Sequence, residues 1–278
     1  MNPTDLKPYR IPSPSYIAFS GGRTSGYMLR RILDAYDGTL PEGIEVIFCN
    51  TGLEHPATLR FVENVSINWN VPITWLEYRD HDSYEVVNYT NASRAGEPFD
   101  QLLQKVPVLP NVRMRLCTVE LKMRTALRYM KSKHTEWSRA VGLRADEPRR
   151  VGRMRSDFSY EEPIMPLAQA GADRAEVNNF WKHSSFDLEL PYESNIFGNC
   201  VGCFLKSTSR INLIMREMPE HFDWWIRTER SFEGKVEDIR GARFRIDRPS
   251  YADLMSASKD ELHFDFEEDD IQDCSCTE

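Results

Sequence analysis

Short apolar segments alternate with helical patterns in the first part of the chain. Residues 16–19 form an apolar run that ends at Ser-Gly-Gly, which is typical of a buried strand entering a tight turn. After this turn, apolar residues recur with helical spacing over residues 25–33. Residues 44–49 and 73–76 predict two further strands, and residues 56–65 predict the helix between them. This alternation favours right-handed β-α-β crossovers and a parallel sheet.

The pattern is less regular in the second part. Residues 116–130 and 176–182 predict helices, and residues 140–143 resemble the end of a strand. Residues 211–230 predict a helix whose two adjacent tryptophans, Trp224 and Trp225, belong in a core because large rings mostly bury area.

We therefore predict an α/β fold with a mostly parallel, doubly wound sheet and helices on both faces. Residues 1–160 would form the sheet domain. Residues 161–278 would form a smaller, mainly helical part that carries cysteines and an acidic tail.

Composition narrows the class of protein. The formal net charge of −8 over 278 residues argues against broad affinity for nucleic acids. No run approaches the about eighteen apolar residues of a membrane span, and the Pro-punctuated N-terminus lacks the pattern of a secretory signal. We expect a cytoplasmic protein with no membrane partner.

The turn after the first strand has the features of an anion site. The first N–H groups of a helix lack partners, the helix dipole adds positive charge, and glycines let an anion approach the backbone. Side-chain hydroxyls supply further donors. The alternative is an ordinary helix-capping turn, since neither a Walker A nor a GxGxxG pattern is present. The candidate residues are Ser20, Gly21, Gly22, Arg23, Thr24 and Ser25.

Two further segments follow in order. Residues 48–56, FCNTGLEHP, contain Thr51, Gly52 and Glu54, and residues 142–150, GLRADEPRR, contain Gly142 and Arg144. With the turn FSGGRTS they resemble the adenine nucleotide α-hydrolase (PP-loop) superfamily and, within it, the phosphoadenosine phosphosulfate (PAPS) reductase family. The resemblance covers roughly residues 14–205. It implies that all three segments contribute to binding an adenine nucleotide, which is PAPS, adenylyl sulfate (APS) or ATP.

One position departs from the pattern of the ATP-cleaving members. They usually have SGGxDS, whereas Thr24 stands here in place of the Asp. The resemblance then shifts away from ATP hydrolysis and towards the sulfonucleotide reductase branch.

Basic residues suit the distal end of such a nucleotide. Six arginines fall between residues 139 and 155 against Asp146 and Glu147, and Arg144 is the best candidate because a guanidinium offers paired donors. Lys122, five residues after Cys117, matches a lysine that follows the family's cysteine. The alternatives are a solvated loop for the arginines and a solvated helix position for the lysine.

The cysteines indicate a metal or redox centre. Cys200 and Cys203 form a CxxC, and the resemblance implies that Cys117 and a fourth cysteine join them in a 4Fe-4S cluster. The tail ends in Cys274-Ser-Cys276, and we assign Cys276 to the cluster. A structural zinc with the same ligands and a thiol–disulfide site remain alternatives. Cys49, in an apolar strand, is expected in the core.

The leading interpretation is a sulfonucleotide reductase-like enzyme, with Cys274 as the nucleophile and a thioredoxin-type partner as reductant. An ATP-dependent sulfurtransferase of nucleic-acid thiolation is the runner-up, and only that function would involve nucleic acid. A non-catalytic nucleotide sensor with structural zinc is the third interpretation. A homodimer is compatible with all three.

Overall fold

The computed structural model describes most of the chain. The described residues are 3–81, 83–106, 108–156, 158–192, 197–198, 200–235 and 242–259.

Within these ranges the strands form one six-stranded sheet in the order β4-β3-β2-β1-β5-β6. All neighbours run parallel except β3 and β4. The predicted α/β class with a mostly parallel sheet is confirmed. The strands are β1 (Ser15–Ala18), β2 (Ile44–Asn50), β3 (Ile73–Arg79), β4 (Ser83–Val87), β5 (Trp137–Ala140) and β6 (Glu161–Ile164).

Helices connect and cover these strands. In the described part of the chain, two 3-10 turns, Pro3–Tyr9 and Pro219–Phe222, and one π-helix, Cys117–Arg124, supplement the α-helices. The α-helices are α1 (Arg23–Ala35), α2 (Pro56–Asn68), α3 (Glu97–Lys105), α4 (Thr125–Lys131), α5 (Pro148–Arg153), α6 (Pro166–Ala170), α7 (Arg174–Lys182), α8 (Thr208–Glu217), α9 (Asp223–Phe232) and α10 (Tyr251–Lys259).

The central strand β1 shows why the sheet is covered on both faces. Successive side chains of a strand point to opposite faces. Ile17 accordingly joins the core beneath α1, α2 and α7, whereas Tyr16 joins the core beneath α4. Both residues are buried, as expected for a parallel strand between two layers of helices.

Several elements differ from the sequence predictions. The predicted helix 116–130 begins as a π-helix, and the predicted helix 211–230 is two helices, because Pro219 lacks the N–H that would continue the first one. The strands β4 and β6 were not predicted. The first is largely exposed and the second reads Glu-Glu-Pro-Ile, so neither has an apolar run. Both tryptophans are buried, as predicted.

A third core carries the cysteines. It contains Cys117, Cys200 and Cys203 together with Trp224 and Trp225. This core joins α8, α9 and α10 to residues of α3 and the π-helix.

The sheet continues past residue 160, where the sequence placed the boundary. The strand β6 pairs with β5 after that position, and Val177 and Trp181 of α7 belong to the core beneath α1. Leu188 belongs to the same core. We propose that the division between the two parts falls nearer to residue 190.

Candidate functional site

The central strand ends at a topological switch point. From β1 the chain crosses to β2 on one side, and later elements place β5 on its other side. Ligands of open α/β sheets bind in the crevice outside the carboxyl ends of the strands at such a point. The Gly-rich turn follows β1 and the Gly142 segment follows β5, so two of the three sequence segments meet there.

The Gly-rich turn has a shape that only glycine allows. Gly21 has φ +75°, and a Cβ on it would lie 2.6 Å from the Cγ2 of Thr58. Gly22 is the N-cap of α1 and gives no side-chain cap, while the first turn contains no acidic residue. The N–H groups at this helix end therefore face the crevice without a competing side chain from the cap or a negative charge from the first turn.

The serine hydroxyls stabilise the turn from within. The Oγ of Ser25 accepts a hydrogen bond from the backbone N–H of Ser20 at 3.1 Å and donates one to the carbonyl of Gly22 at 3.1 Å. The two serine hydroxyls also lie 2.8 Å apart. Ser25 lies in the first turn of α1, because the helix begins at Arg23.

Arg144 reaches the turn from β5. Its Nη1 donates to the Oγ1 of Thr24 at 3.2 Å. Gly142 packs closely against Ser25, since a Cβ on Gly142 would lie 3.4 Å from the Cα of Ser25. Arg144 also forms ion pairs with Asp146 at 2.8 Å and Glu147 at 3.3 Å, so its charge is held in place beside the helix end.

Lys122 borders a small cavity beside the turn. The cavity, about 50 Å³, is lined by residues that include Ser20, Cys49, Lys122 and Arg139. Lys122 lies in the π-helix, a form that often occurs at functional sites.

Cys49, expected in the core, is half-buried, packs against the core that contains Tyr16, and also lines this cavity. Its thiol contacts the carbonyl of Lys122 at 3.5 Å. Burial raises the pKa of Cys49 to about 12, and the positive charge of Lys122 opposes this only in part. Cys49 is therefore a protonated thiol at neutral pH.

The turn after β2 uses its own polar groups. The carboxyl group of Glu54 accepts hydrogen bonds from the backbone N–H of Thr51 at 3.0 Å, from the Thr51 hydroxyl at 2.8 Å and from the N–H of Leu53 at 3.2 Å. Gly52 has φ +80° and accepts a hydrogen bond from Gly96 at 3.1 Å. The side chains of Thr51 and Glu54, expected to contact the nucleotide, thus shape this turn.

The CxxC segment docks on the same turn. The backbone N–H of Val201 donates to the carbonyl of Leu53 at 2.9 Å, and Glu54 and Cys200 form an isolated β-bridge. The Sγ of Cys200 lies 3.4 Å from the Thr51 hydroxyl. The cysteine loop therefore lies against the carboxyl end of β2, next to the crevice.

Two buried cationic side chains stabilise the backbone of the CxxC segment. The Nζ of Lys206 donates to the carbonyls of Cys200 at 2.8 Å and Gly198 at 2.6 Å. Arg248 donates to the Tyr251 hydroxyl, which donates to the carbonyl of Gly202. Lys206 and Arg248 are both buried, so two positive charges lie beside the backbone of the CxxC segment.

The cysteines partly fit a metal centre. Cys200 and Cys203 are buried in one turn beside these cations, and Cys117 is buried in the same core. Burial raises the pKa of the Cys200 thiol, and the charge of Lys122 opposes that rise. Among the described residues no three His, Cys, Asp or Glu side chains are grouped to hold a metal ion. The expected further residues, Cys274 and Cys276, lie outside the described residues.

Arg23 differs from its expected role. Its guanidinium forms a bidentate ion pair with Asp187, with both distances 2.9 Å, and donates to the carbonyls of Leu188 and Leu190. It also stacks on Tyr192 at 3.7 Å. The side chain therefore anchors residues 187–192 to α1, which leaves its backbone N–H for the crevice.

His55 is a site residue that sequence reasoning missed. It is the N-cap of α2, where its Nδ1 accepts a hydrogen bond from Ala57 at 3.0 Å, and its ring stacks on that of His221 at 6.4 Å. Burial, followed by the nearby His221, lowers the pKa of His55 to about 4. Its position directly before Pro56 was the available signal, because proline favours the first helical turn.

His55 makes stability depend on pH. Its pKa in the folded protein lies below the ordinary value of 6.5, so the unfolded chain binds more protons between pH 6.5 and about 4. Stability falls as pH falls through this window.

The variant His55→Asn tests this assignment, because asparagine can also cap α2 but does not titrate. Between pH 7.5 and pH 5, the free energy of unfolding measured with urea should fall by about 1 kcal/mol less in His55→Asn than in the wild type, allowing for solvent screening. His183→Asn, at an exposed position, is the control. Equal pH dependence of wild type and His55→Asn would contradict this assignment.

No helix in the described part of the chain is long and apolar enough to cross a membrane.

No model of a known protein family matches the chain. It is similar in fold to a phosphoadenylyl-sulfate (PAPS) reductase from Candida auris, with 18% identity, a TM-score of 0.42, and coverage of 66% of this chain and 79% of that one. It is also similar to the U34-tRNA thiolase NcsA from Methanococcus maripaludis, described with its [4Fe-4S] cluster, with 12% identity, a TM-score of 0.41, and coverage of 93% and 78%.

A curated relative is more similar in sequence. The uncharacterized nin region protein ORF290 of Escherichia phage lambda is 31% identical over 219 residues, which are 72% of this chain and 69% of the relative. The chain belongs to the family of this nin region protein.

Proposed function

We propose that the crevice at the end of β1 binds an adenine nucleotide, with its anionic end between the Gly-rich turn and Arg144. The contact between Arg144 and Thr24 is the main support for this proposal, because it joins the Gly142 segment to the Gly-rich turn at the N-terminus of α1. A helix N-terminus and a guanidinium together favour a phosphate or sulfate group. Lys122, on the cavity next to Ser20, supplies a second cation.

Gly22→Val tests this binding mode. Gly22 has an extended backbone with φ −106° and ψ 164°, which valine adopts readily. A Cβ there would meet only the Oγ of Ser20, at 3.5 Å. The fold should therefore survive while the branched side chain occupies the space of the anion. Calorimetry should show nucleotide binding at least about tenfold weaker, or about 1.4 kcal/mol.

The control for this variant is Gly152→Val on α5, where an added Cβ meets nothing within 4 Å. It should bind like the wild type. Gly21 is unsuitable for the test, since substitution there would strain a positive φ and strike Thr58. Unchanged affinity in a folded Gly22→Val protein would remove the Gly-rich turn from the binding site.

The reaction we propose is that of a sulfonucleotide reductase-like enzyme. The thiolate of Cys274 would attack the sulfur of an adenylyl sulfate, the S–O bond would break, and the adenosine phosphate would leave with the electron pair. A thioredoxin-type dithiol would then release sulfite from the cysteine and become a disulfide. Thr24 supports this substrate over ATP, because it adds no carboxylate to the first turn of α1, where a metal-assisted site would need oxygen ligands.

Product analysis tests the reaction. The protein is incubated anaerobically with APS, PAPS or ATP and a dithiol, and sulfite, adenosine phosphates and pyrophosphate are measured. We expect sulfite from one of the two sulfonucleotides. Cys274→Ser should still bind that nucleotide and form no sulfite. Pyrophosphate from ATP would instead favour the sulfurtransferase, and binding without any product would favour the sensor.

We further propose that Cys117, Cys200 and Cys203 hold a 4Fe-4S cluster with Cys276, or a zinc ion in its place. The two adjacent buried thiols and the buried cations Lys206 and Arg248 support an anionic centre. When bound, a cluster would supply a negatively charged, redox-active group next to the turn after β2.

Metal analysis of matched cysteine variants tests this centre. Cys203→Ser should lose most of the metal that copurifies under anaerobic conditions, because it removes one of the two adjacent thiols. Cys49→Ser should keep the metal, since Cys49 lies on the separate cavity with Lys122. Iron, zinc and sulfide counts with an absorption spectrum distinguish cluster from zinc. Full metal content in Cys203→Ser would exclude the CxxC as a ligand.

A further inference from the structure

A second cavity lies on the outside of the cysteine-bearing core. It has a volume of about 490 Å³ and lies between the turn 111–113 and the segment 243–247. That size falls within the range of about 300–1,000 Å³ of small-molecule sites. It shares no lining residue with the small cavity at Ser20 and Lys122.

Arginines dominate the lining of this cavity. Arg113, Arg243 and Arg245 line it, and Asp247 is the one acidic residue among the lining residues that the structure describes. Arg245 forms an ion pair with Asp247, and that pairing lowers the pKa of the Asp247 carboxyl group. Two guanidinium groups then remain in excess over the acidic lining. Like charges repel in a partly enclosed space, so this set favours an anion.

Arg243 is partly buried at the wall of this cavity. Its Nε is buried and has no hydrogen-bond partner among the described residues. Leaving a buried donor unpaired costs about 1–3 kcal/mol. The buried carboxyl group of Glu229 interacts electrostatically with Arg243, and its oxygens accept from the backbone N–H groups of Phe244 at 3.3 Å and Tyr251 at 2.8 Å.

The opposite wall is a well-defined turn. The Oδ1 of Asn111 accepts hydrogen bonds from the backbone N–H groups of Arg113 and Met114, both at 3.0 Å. The N–H of Asn111 donates to the carbonyl of Met114 at 3.0 Å. This turn fixes the backbone of the exposed Arg113 at the rim of the cavity.

We infer that this cavity is a second anion site, which binds a small molecule carrying a phosphate or sulfate group. The guanidinium groups of Arg113 and Arg243 would each donate to its oxygens, as arginine does with tetrahedral oxyanions. The exposed Ile246 offers an apolar surface for the rest of the ligand. This inference is independent of nucleotide binding at the Gly-rich turn.

Pyrophosphate is the probe, titrated calorimetrically into the full chain. The wild type should bind at two sites, one at the Gly-rich turn and one in this cavity. Gly22→Val should retain the cavity site, whereas Arg243→Gln should retain the turn site and bind at the cavity about tenfold more weakly, or about 1.4 kcal/mol. Arg113→Gln should weaken pyrophosphate binding in the cavity in the same way. Because the side chain of Arg113 is exposed, this variant provides the test if Arg243→Gln fails to fold.

Arginine labelling locates the cavity site. Phenylglyoxal should modify Arg113 more slowly when pyrophosphate is present, as read by mass spectrometry, while the exposed Arg216 of α8 should react equally with and without it. Repeating the experiment with sulfate distinguishes the two oxyanions. Unchanged labelling of Arg113 with both anions would overturn the inference, as would cavity affinity unaffected by both arginine variants. If the wild type binds pyrophosphate in the cavity but not at the Gly-rich turn, the result contradicts only the proposed nucleotide site.

Discussion

The buried carboxyl group of Glu54 connects the two halves of the candidate site. It accepts three hydrogen bonds from Thr51 and Leu53, and the same turn then presents the Leu53 carbonyl to Val201 and the Thr51 hydroxyl to Cys200. Without this acceptor, buried donors of the turn would lose their partners at about 1–3 kcal/mol each. The position of the CxxC segment against the sheet therefore depends on a side chain in the turn after β2.

Positive charge is concentrated at the site although the whole chain is acidic. The formal net charge is −8, yet Lys122 borders the crevice, Arg144 reaches its helix end, and Lys206 and Arg248 are buried behind the thiols. A local field of this kind attracts anions even to an acidic protein. Lys122 links the two regions, because its charge favours the thiolate forms of both Cys49 and Cys200.

The sequence predicted what depends on local pattern. Apolar runs and the Gly-rich turn located β1, α1 and β2, and the resemblance of the Gly142 segment selected Arg144, which contacts the turn. The sequence did not predict features whose position depends on contacts between residues far apart in the chain. The ion pair of Arg23 with Asp187 joins residues 164 positions apart, and the contact of Cys49 with Lys122 of the π-helix joins residues 73 positions apart. The strand β6 has almost no apolar residues, so only its pairing with β5 makes it part of the sheet.

Thr24 decides what kind of anion chemistry this crevice favours. An Asp at this position would place a carboxylate in the first turn of α1, within reach of Arg144, where it would pair with the guanidinium and repel an incoming anion. Such a carboxylate suits a site that recruits a metal ion, since oxygen ligands bind Mg²⁺. With Thr24, the hydroxyl accepts the hydrogen bond from Arg144 and adds no charge, and the first turn of α1 contains no acidic residue at all. The helix dipole, Arg144 and Lys122 then act in the same direction. This arrangement of charge is the physical basis for the proposal that the crevice binds a sulfonucleotide through protein groups.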